Sequence, residues 1–290
     1  MNSGFNSAEL MPIVSVSSVM RSLETLLRHL VLSSVPVLFV GEKGTGRAYF
    51  ARYLHRSGNK ADKPFVRLIS KDLTTERFEQ ALAVNPGMVF IDEVADASLE
   101  IQQMLLEIVS SETSENSCRI CCSTSENLEE KAAHSKFSSE LYYRLAVLPV
   151  HVPALRERAD DIPQLAQIFL SVYSKRYNKR FSCFSDEALN SLINAYWPQN
   201  LLEFESCIER ACAIAAPPVI EKEDLRLNIL GVSGIFTSTD KSLKTAVDQF
   251  KKQYITQILA EVRWNQTEAA KVLNIQRTYL SRLIKELNIK

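Results

Sequence analysis

No stretch of the chain approaches the run of about 18 apolar residues that a membrane-crossing helix needs. The first ten residues lack the basic-then-apolar order of a secretory signal. Net charge is missing too, because 34 Lys and Arg face 34 Asp and Glu. Six cysteines (Cys118, Cys121, Cys122, Cys183, Cys207 and Cys212) in 290 residues are too sparse for a disulfide framework. Cys118 and Cys121 share a C-x-x-C spacing inside what reads as a strand, where an offset of three turns side chains to opposite faces. The two are expected as buried, reduced core thiols, and the chain as cytoplasmic. No internal repeat is present. Hydrophobic residues at 46% and charged residues at 23% are ordinary for a globular protein and exclude long disorder or a fibre.

The zero balance hides an asymmetry. Lys241 to Lys290 holds ten basic and four acidic residues, which leaves 24 basic and 30 acidic for the remainder. A basic tail on an acidic body points to the tail as the part that meets a polyanion such as nucleic acid.

Hydrophobic periodicity orders the chain. Ser18 to Val31 reads as a helix and Val35 to Val40 as a short apolar strand. Gly41-Glu42-Lys43-Gly44-Thr45-Gly46 follows, and Ala48 to His55 is again helical. Phe65 to Ile69, Met88 to Ile91 and Arg119 to Cys122 read as strands, separated by helices over Thr74 to Ala83 and Leu99 to Val109. Such alternation predicts a parallel sheet covered on both faces. From Leu155 the pattern is helical only: one helix opens at Asp161-Ile162-Pro163, one is capped by Ser185, and one spans Leu201 to Ile214. Gly231 to Gly234 and Thr237 to Thr239 read as a linker. The expected division is therefore residues 1–153, an α/β nucleotide-binding domain; 154–229, a helical lid; 230–241, a linker; and 242–290, an all-α DNA-binding domain.

Two elements carry chemistry. Gly41 to Arg47 fits the phosphate-binding pattern G-x-x-x-x-G-K, except that Arg47 replaces lysine. Glycines let backbone N–H groups face phosphate oxygens, and the helix N-terminus adds positive potential. Val89-Phe90-Ile91-Asp92-Glu93 is an apolar strand ending in two carboxylates, with Asp92 suited to magnesium and Glu93 to polarising an attacking water. A glycine turn and a solvated strand end would explain either alone; their order on successive strands points to a P-loop domain.

In the tail, Asn265 to Ile275 reads as a helix and a tight turn, with small Ala269 and Ala270 allowing close approach and Asn274 suited to a left-handed backbone. Gln276 to Leu287 turns Leu280, Leu283, Ile284 and Leu287 inward and carries Gln276, Arg277, Thr278, Tyr279, Ser281, Arg282 and Lys285 outside. That is the distribution of a recognition helix in a major groove. Ser242 to Glu261 shows an apolar stripe (Leu243, Ala246, Phe250, Tyr254, Ile258, Leu259) that fits either a partner helix or its own bundle.

Five motifs resemble the AAA+ domain of bacterial sigma-54-dependent enhancer-binding proteins. Gly41 to Gly46 resembles their GESGTGK loop, Val89 to Val94 their LFLDEI, and Phe137 to Leu145 their FREDLYYRL. Leu155 to Pro163 resembles LRERREDIP, and Trp197-Pro198-Gln199-Asn200 with Glu203 resembles WPGNVRE. Gln266 to Leu287 is similar to the Fis-type helix-turn-helix of the same family.

The resemblance implies an AAA+ P-loop parallel sheet, a helical lid and a helix-turn-helix domain. It implies ATP or ADP and Mg²⁺ as cofactors, held by Gly41, Glu42, Lys43, Gly44, Thr45, Gly46, Arg47, Ala48, Asp92 and Thr124. Asp92 is the implied metal ligand, and Asp92, Glu93 and Arg144 the implied catalytic set. Implied partners are double-stranded DNA, a second subunit through the C-terminal domain, possible higher AAA+ oligomers, and RNA polymerase with the sigma factor left open; no membrane is implied. Because the likeness starts near Met11, no N-terminal receiver or sensing domain is expected.

Departures from the family pattern bear on activity. The family's GAFTGA pore loop has no counterpart in the fifteen residues between Leu73 and Val89. Arg47 stands for the loop lysine, Ser138 for one of two arginine fingers, Ser125 for a sensor asparagine, Leu202 for a lid arginine, and Ile69 for the asparagine that couples nucleotide state to Glu93. The expected function is a DNA-binding transcriptional regulator whose AAA+ domain binds ATP with weak or absent hydrolysis. Two alternatives stay open: an active ATPase remodelling sigma-54 polymerase, and another DNA-associated AAA+ ATPase.

Overall fold

The computed structural model describes residues 12–111 and 118–227, and in the tail residues 248, 251–252, 254–256, 258–259, 262 and 264–287. The chain divides into two compact units, Met1–Leu225 and Arg226–Lys290.

The first unit is built on five parallel strands in the order β2-β3-β4-β1-β5: β1 Val37–Val40, β2 Phe65–Ile69, β3 Met88–Asp92, β4 Arg119–Thr124 and β5 Pro149–His151. Alternate side chains feed opposite cores, as a period of two demands. Leu38, Val89, Ile91, Ile120 and Cys122 pack with Phe78, Ile101 and Leu141 on one face. Val37, Phe39, Met88, Phe90 and Cys121 pack with Leu27, Phe50 and Leu54 on the other. Helices α1 (Ser18–Leu30) and α2 (Arg47–Ser57) supply the second face. Helices α3 (Thr75–Ala83), α4 (Leu99–Ser110), α5 (Leu128–Ala133) and α6 (Ser139–Leu145) supply the first. Cys118 and Cys121 reach opposite faces, so their spacing brings no shared ligand site.

The lid comprises α7 (Ile162–Arg176), α8 (Asp186–Asn194) and α9 (Asn200–Ile214), followed by a single turn at Lys222–Leu225. Ser185 caps α8 by accepting from the Ala188 N–H, as its sequence position predicts. The expectation of helices only needs correcting. A parallel two-stranded piece, β6 (Cys183–Phe184) with β7 (Val219–Ile220), joins the start of α8 to the end of α9. Two residues are too few to show an alternation. Cys118 corrects another expectation, since it is half-buried while Cys121 is buried, and Cys183 is exposed on this ribbon.

In the second unit, helices Gln266–Val272 and Arg277–Glu286 pack around Ala269, Ala270, Leu280 and Leu283, joined by Ile255, Ile258 and Leu259. Asn274 takes φ 52°, the left-handed turn its type favours. The linker motifs and Leu243, Ala246 and Phe250 of the apolar stripe lie outside the described residues.

Candidate nucleotide site and DNA-binding helix

Parallel register brings the loop and the carboxylates to one end of the sheet. Val40 pairs with Thr124, Ile91 with Cys122 and Ile69 with Asp92, so the chain leaves β1, β3 and β4 side by side. Gly41 N–H donates to the Thr124 carbonyl at 3.1 Å, which anchors the loop to β4. β1 lies where connections run to opposite sides, the usual crevice of open α/β sheets. Gly46 caps α2 at φ 99°, and Gly44 has φ 79°. Among the described residues, the N–H groups of Lys43, Gly44 and Gly46 have no protein acceptor.

The two carboxylates are both engaged by this chain's own donors. Glu93 Oε1 accepts from Arg47 Nη2 at 2.5 Å, and Oε2 accepts from Ser125 N at 2.8 Å and Ser125 Oγ at 2.9 Å. Asp92 Oδ2 accepts from Arg67 Nη2 at 2.5 Å and Oδ1 from Ser123 Oγ at 2.6 Å. Arg47 is only 6% exposed, and its Nη1 is buried with no partner. An orphaned guanidinium nitrogen beside a glycine loop fits an incoming anion. Sequence reading missed Arg67. It shares a face of β2 with Ile69, the position from which the resemblance expects an asparagine, and an alternation of two was the available signal.

The lid closes on the loop through the Leu155–Pro163 and Trp197–Asn200 motifs. Asn200, fully buried at φ 51°, accepts from Leu155 N at 2.8 Å. Its Nδ2 donates to Lys43 O at 2.9 Å and Glu42 Oε2 at 3.1 Å. Arg156 forks onto the Glu42 carboxylate, with Nη1 2.8 Å from Oε2, and these bonds hold the Glu42 pKa down at about 2. Arg158 donates to Thr45 O at 3.0 Å, and its burial lowers its pKa to about 10. Asp161 accepts from Ser17 N at 2.7 Å and Ser17 Oγ at 2.9 Å, which ties α7 to the start of α1. Leu201 N–H donates to Gly44 O at 3.0 Å, and a Cβ on Gly44 would lie 2.2 Å from Gln199 O. A glycine is therefore required at 44 by lid contact as well as by φ.

Other expected residues sit differently. The Thr124 hydroxyl turns to the Glu126 carbonyl at 2.9 Å. Thr45 is buried, with its hydroxyl on Glu42 O at 2.8 Å. Lys43 is exposed and Ala48 half-buried. Arg144 is exposed on α6, outside the cluster of Asp92 and Glu93. Ser138 serves as the N-cap of α6, accepting from Leu141 N, and Leu202 is exposed at the start of α9. Between β2 and β3 lie a 3-10 turn, α3 with Phe78 buried, and a short turn.

On the tail helix Arg277–Glu286, Gln276, Arg277, Thr278, Tyr279, Arg282 and Lys285 are exposed. Arg282 stacks over Tyr279 at 5.1 Å and lies 3.6 Å from Glu286. Ser281 is half-buried and donates to Gln266 Oε1 at 3.2 Å, so it braces the two helices. Ile258 and Leu259 are buried in this unit's own core.

Comparison with known proteins follows the same order of parts. Residues 14–155 match the sigma-54 interaction domain, 156–241 the AAA+ ATPase lid domain, and 246–287 the bacterial regulatory protein, Fis family. The transcriptional regulatory protein ZraR of Klebsiella oxytoca is 31% identical over 302 residues, covering 93% of this chain and 68% of that protein. The alginate biosynthesis regulator AlgB of Pseudomonas syringae pv. tomato is 31% identical, covering 94% and 66%. The chain thus spans about two thirds of these relatives. The crystal structure of NtrX from Brucella abortus in complex with ADP superposes with a TM-score of 0.66 at 26% identity, covering 96% of this chain and 69% of that one. Among the described residues, no helix is long and apolar enough to cross a membrane. With sigma-54 interaction domain, lid and Fis-type helix-turn-helix in family order, the chain belongs to the sigma-54-dependent transcriptional regulators.

Proposed function

We propose that this regulator binds double-stranded DNA through the helix Arg277–Glu286, and that its AAA+ unit holds ATP or ADP with weak or absent hydrolysis. One observation carries the second part: both oxygens of Glu93 are engaged by Arg47 and Ser125. Three donors already bind this carboxylate, so an attacking water must compete with Arg47 and Ser125 for it. Gly41 to Ala48 form the phosphate cradle, with Arg47 Nη1 supplying the charged contact. The relative NtrX has been crystallised with ADP and with ATP, which supports adenine nucleotide here. Arg144 is an exposed cation that a neighbouring subunit of a larger assembly would receive. Magnesium was expected on Asp92, yet both Asp92 oxygens already have partners, one of them cationic, so the donor set does not fit that ion as arranged.

The domain division at 1–153, 154–229, 230–241 and 242–290 belongs to the same reading, as does dimerisation through the tail. The short β2–β3 connection supports a chain without the family's pore loop and a mode of regulation that does not use it. The test is nucleotide binding and turnover on the purified chain at saturating ATP. Binding with turnover far below about 1 s⁻¹ is expected. Turnover at or above that rate would show that the substitutions are compensated and restore the polymerase-remodelling alternative.

A further inference from the structure

Three features of the nucleotide site concern the metal that P-loop chemistry ordinarily supplies. A magnesium ion demands near-octahedral oxygens and is commonly held by one or two carboxylates, a loop hydroxyl and substrate phosphates. The hydroxyl belongs to the residue after the loop's basic position, and here that residue is Ala48, which has no side-chain oxygen. Asp92 presents Oδ2 to Arg67 at 2.5 Å and Oδ1 to Ser123 at 2.6 Å. Glu93 presents Oε1 to Arg47 at 2.5 Å and Oε2 to Ser125. Two cations therefore offset two carboxylates, and a polyphosphate arriving at the loop meets a neutral floor rather than an acidic one. Arg47 Nη1 remains buried and without an acceptor.

We propose that this site takes nucleotide as the metal-free polyanion, with Arg67 seated on Asp92 in place of a magnesium ion and Arg47 shared between Glu93 and a phosphate oxygen. The proposal rests on the nucleotide-binding reading above and specifies the form bound. It is tested on the full chain by titrating a fluorescent ribose-labelled ADP in excess Mg²⁺ and again in EDTA. The expected Kd in EDTA is within about twofold of that in Mg²⁺, or tighter, since free metal sequesters the polyphosphate. A Kd about tenfold or more weaker in EDTA overturns the proposal and leaves nucleotide binding standing. No binding in either arm overturns both. Arg67 is 42% exposed on the edge strand β2, so Arg67→Ala is expected to fold, with melting temperature as the check. Freeing Asp92 Oδ2 should create metal dependence, about fivefold or more tighter binding with Mg²⁺ than with EDTA. A folded Arg67→Ala variant as indifferent to the metal as the parent would refute the place given to Arg67.

Discussion

Asn200 shows how much one buried side chain can hold. It satisfies the Leu155 N–H, the Lys43 carbonyl and part of the Glu42 carboxylate from a left-handed backbone position that asparagine tolerates. Asn200→Ala leaves a buried N–H unpaired and strains the backbone, so urea unfolding should show a loss of about 2–4 kcal/mol. Glu42 sets a pH dependence. Its pKa falls from 4.5 to about 2 in the folded chain, so the Arg156 pairing contributes fully above about pH 4.5 and fades as pH drops toward 2. The stability difference between the parent and Glu42→Gln should follow that window, largest near neutral pH and closing in acid. It will be small, because both partners are partly exposed. Cysteines divide in the same way. Burial pushes Cys121, Cys207 and Cys212 up to about 11 and Cys122 higher still, whereas Cys183 is exposed. A thiol reagent at neutral pH should therefore modify Cys183 first in the native chain.

At the scale of elements, the helix Arg277–Glu286 separates two kinds of contact. Arg277 is exposed at its first residue, where side chains of this motif enter the groove. Arg277→Ala should cost about 1–3 kcal/mol on the preferred site and relax its sequence preference, read by titration on specific and random duplexes. Arg282→Ala and Lys285→Ala should weaken both duplexes alike and lower the salt slope by about one ion each. Ser281 is different: its bond to Gln266 makes Ser281→Ala a stability change first. Sequence reading counted Ser281 among the DNA contacts because helical phase places it on the same outer side as Arg277, Thr278 and Lys285. In the folded unit its hydroxyl also donates to Gln266.

For the whole molecule, the division at Leu225 has a thermodynamic consequence. The α/β core and lid share buried bonds through Asn200, Arg158 and Asp161, so they should unfold together. The tail, with its own core around Leu280 and Leu283, should melt separately. Calorimetry is expected to show two transitions. Specific duplex should raise the tail transition, and ADP the other, since a ligand stabilises only the unit that binds it. A single transition shifted by both ligands would show the units to be coupled.

Sequence by itself determined the order of elements and their class. The apolar runs within β1, β3 and β4 lie in strands buried along nearly their whole length, and their composition needs no partner to be read. The glycine loop, the Asp92-Glu93 pair, the Ser185 cap and the inward faces of the tail helices follow from local spacing, because backbone geometry within an element is short-range physics. The partners of those residues were decided only in the folded molecule. Arg47 faces Glu93, Arg67 faces Asp92 and Asn200 faces Lys43 across 46, 25 and 157 positions of chain. Hydrophobic periodicity records which face of an element is buried but carries no term for which distant donor meets which acceptor. Sheet order and lid closure supply that term, and they turned a carboxylate suited to a metal and another suited to a water into two arginine pairs.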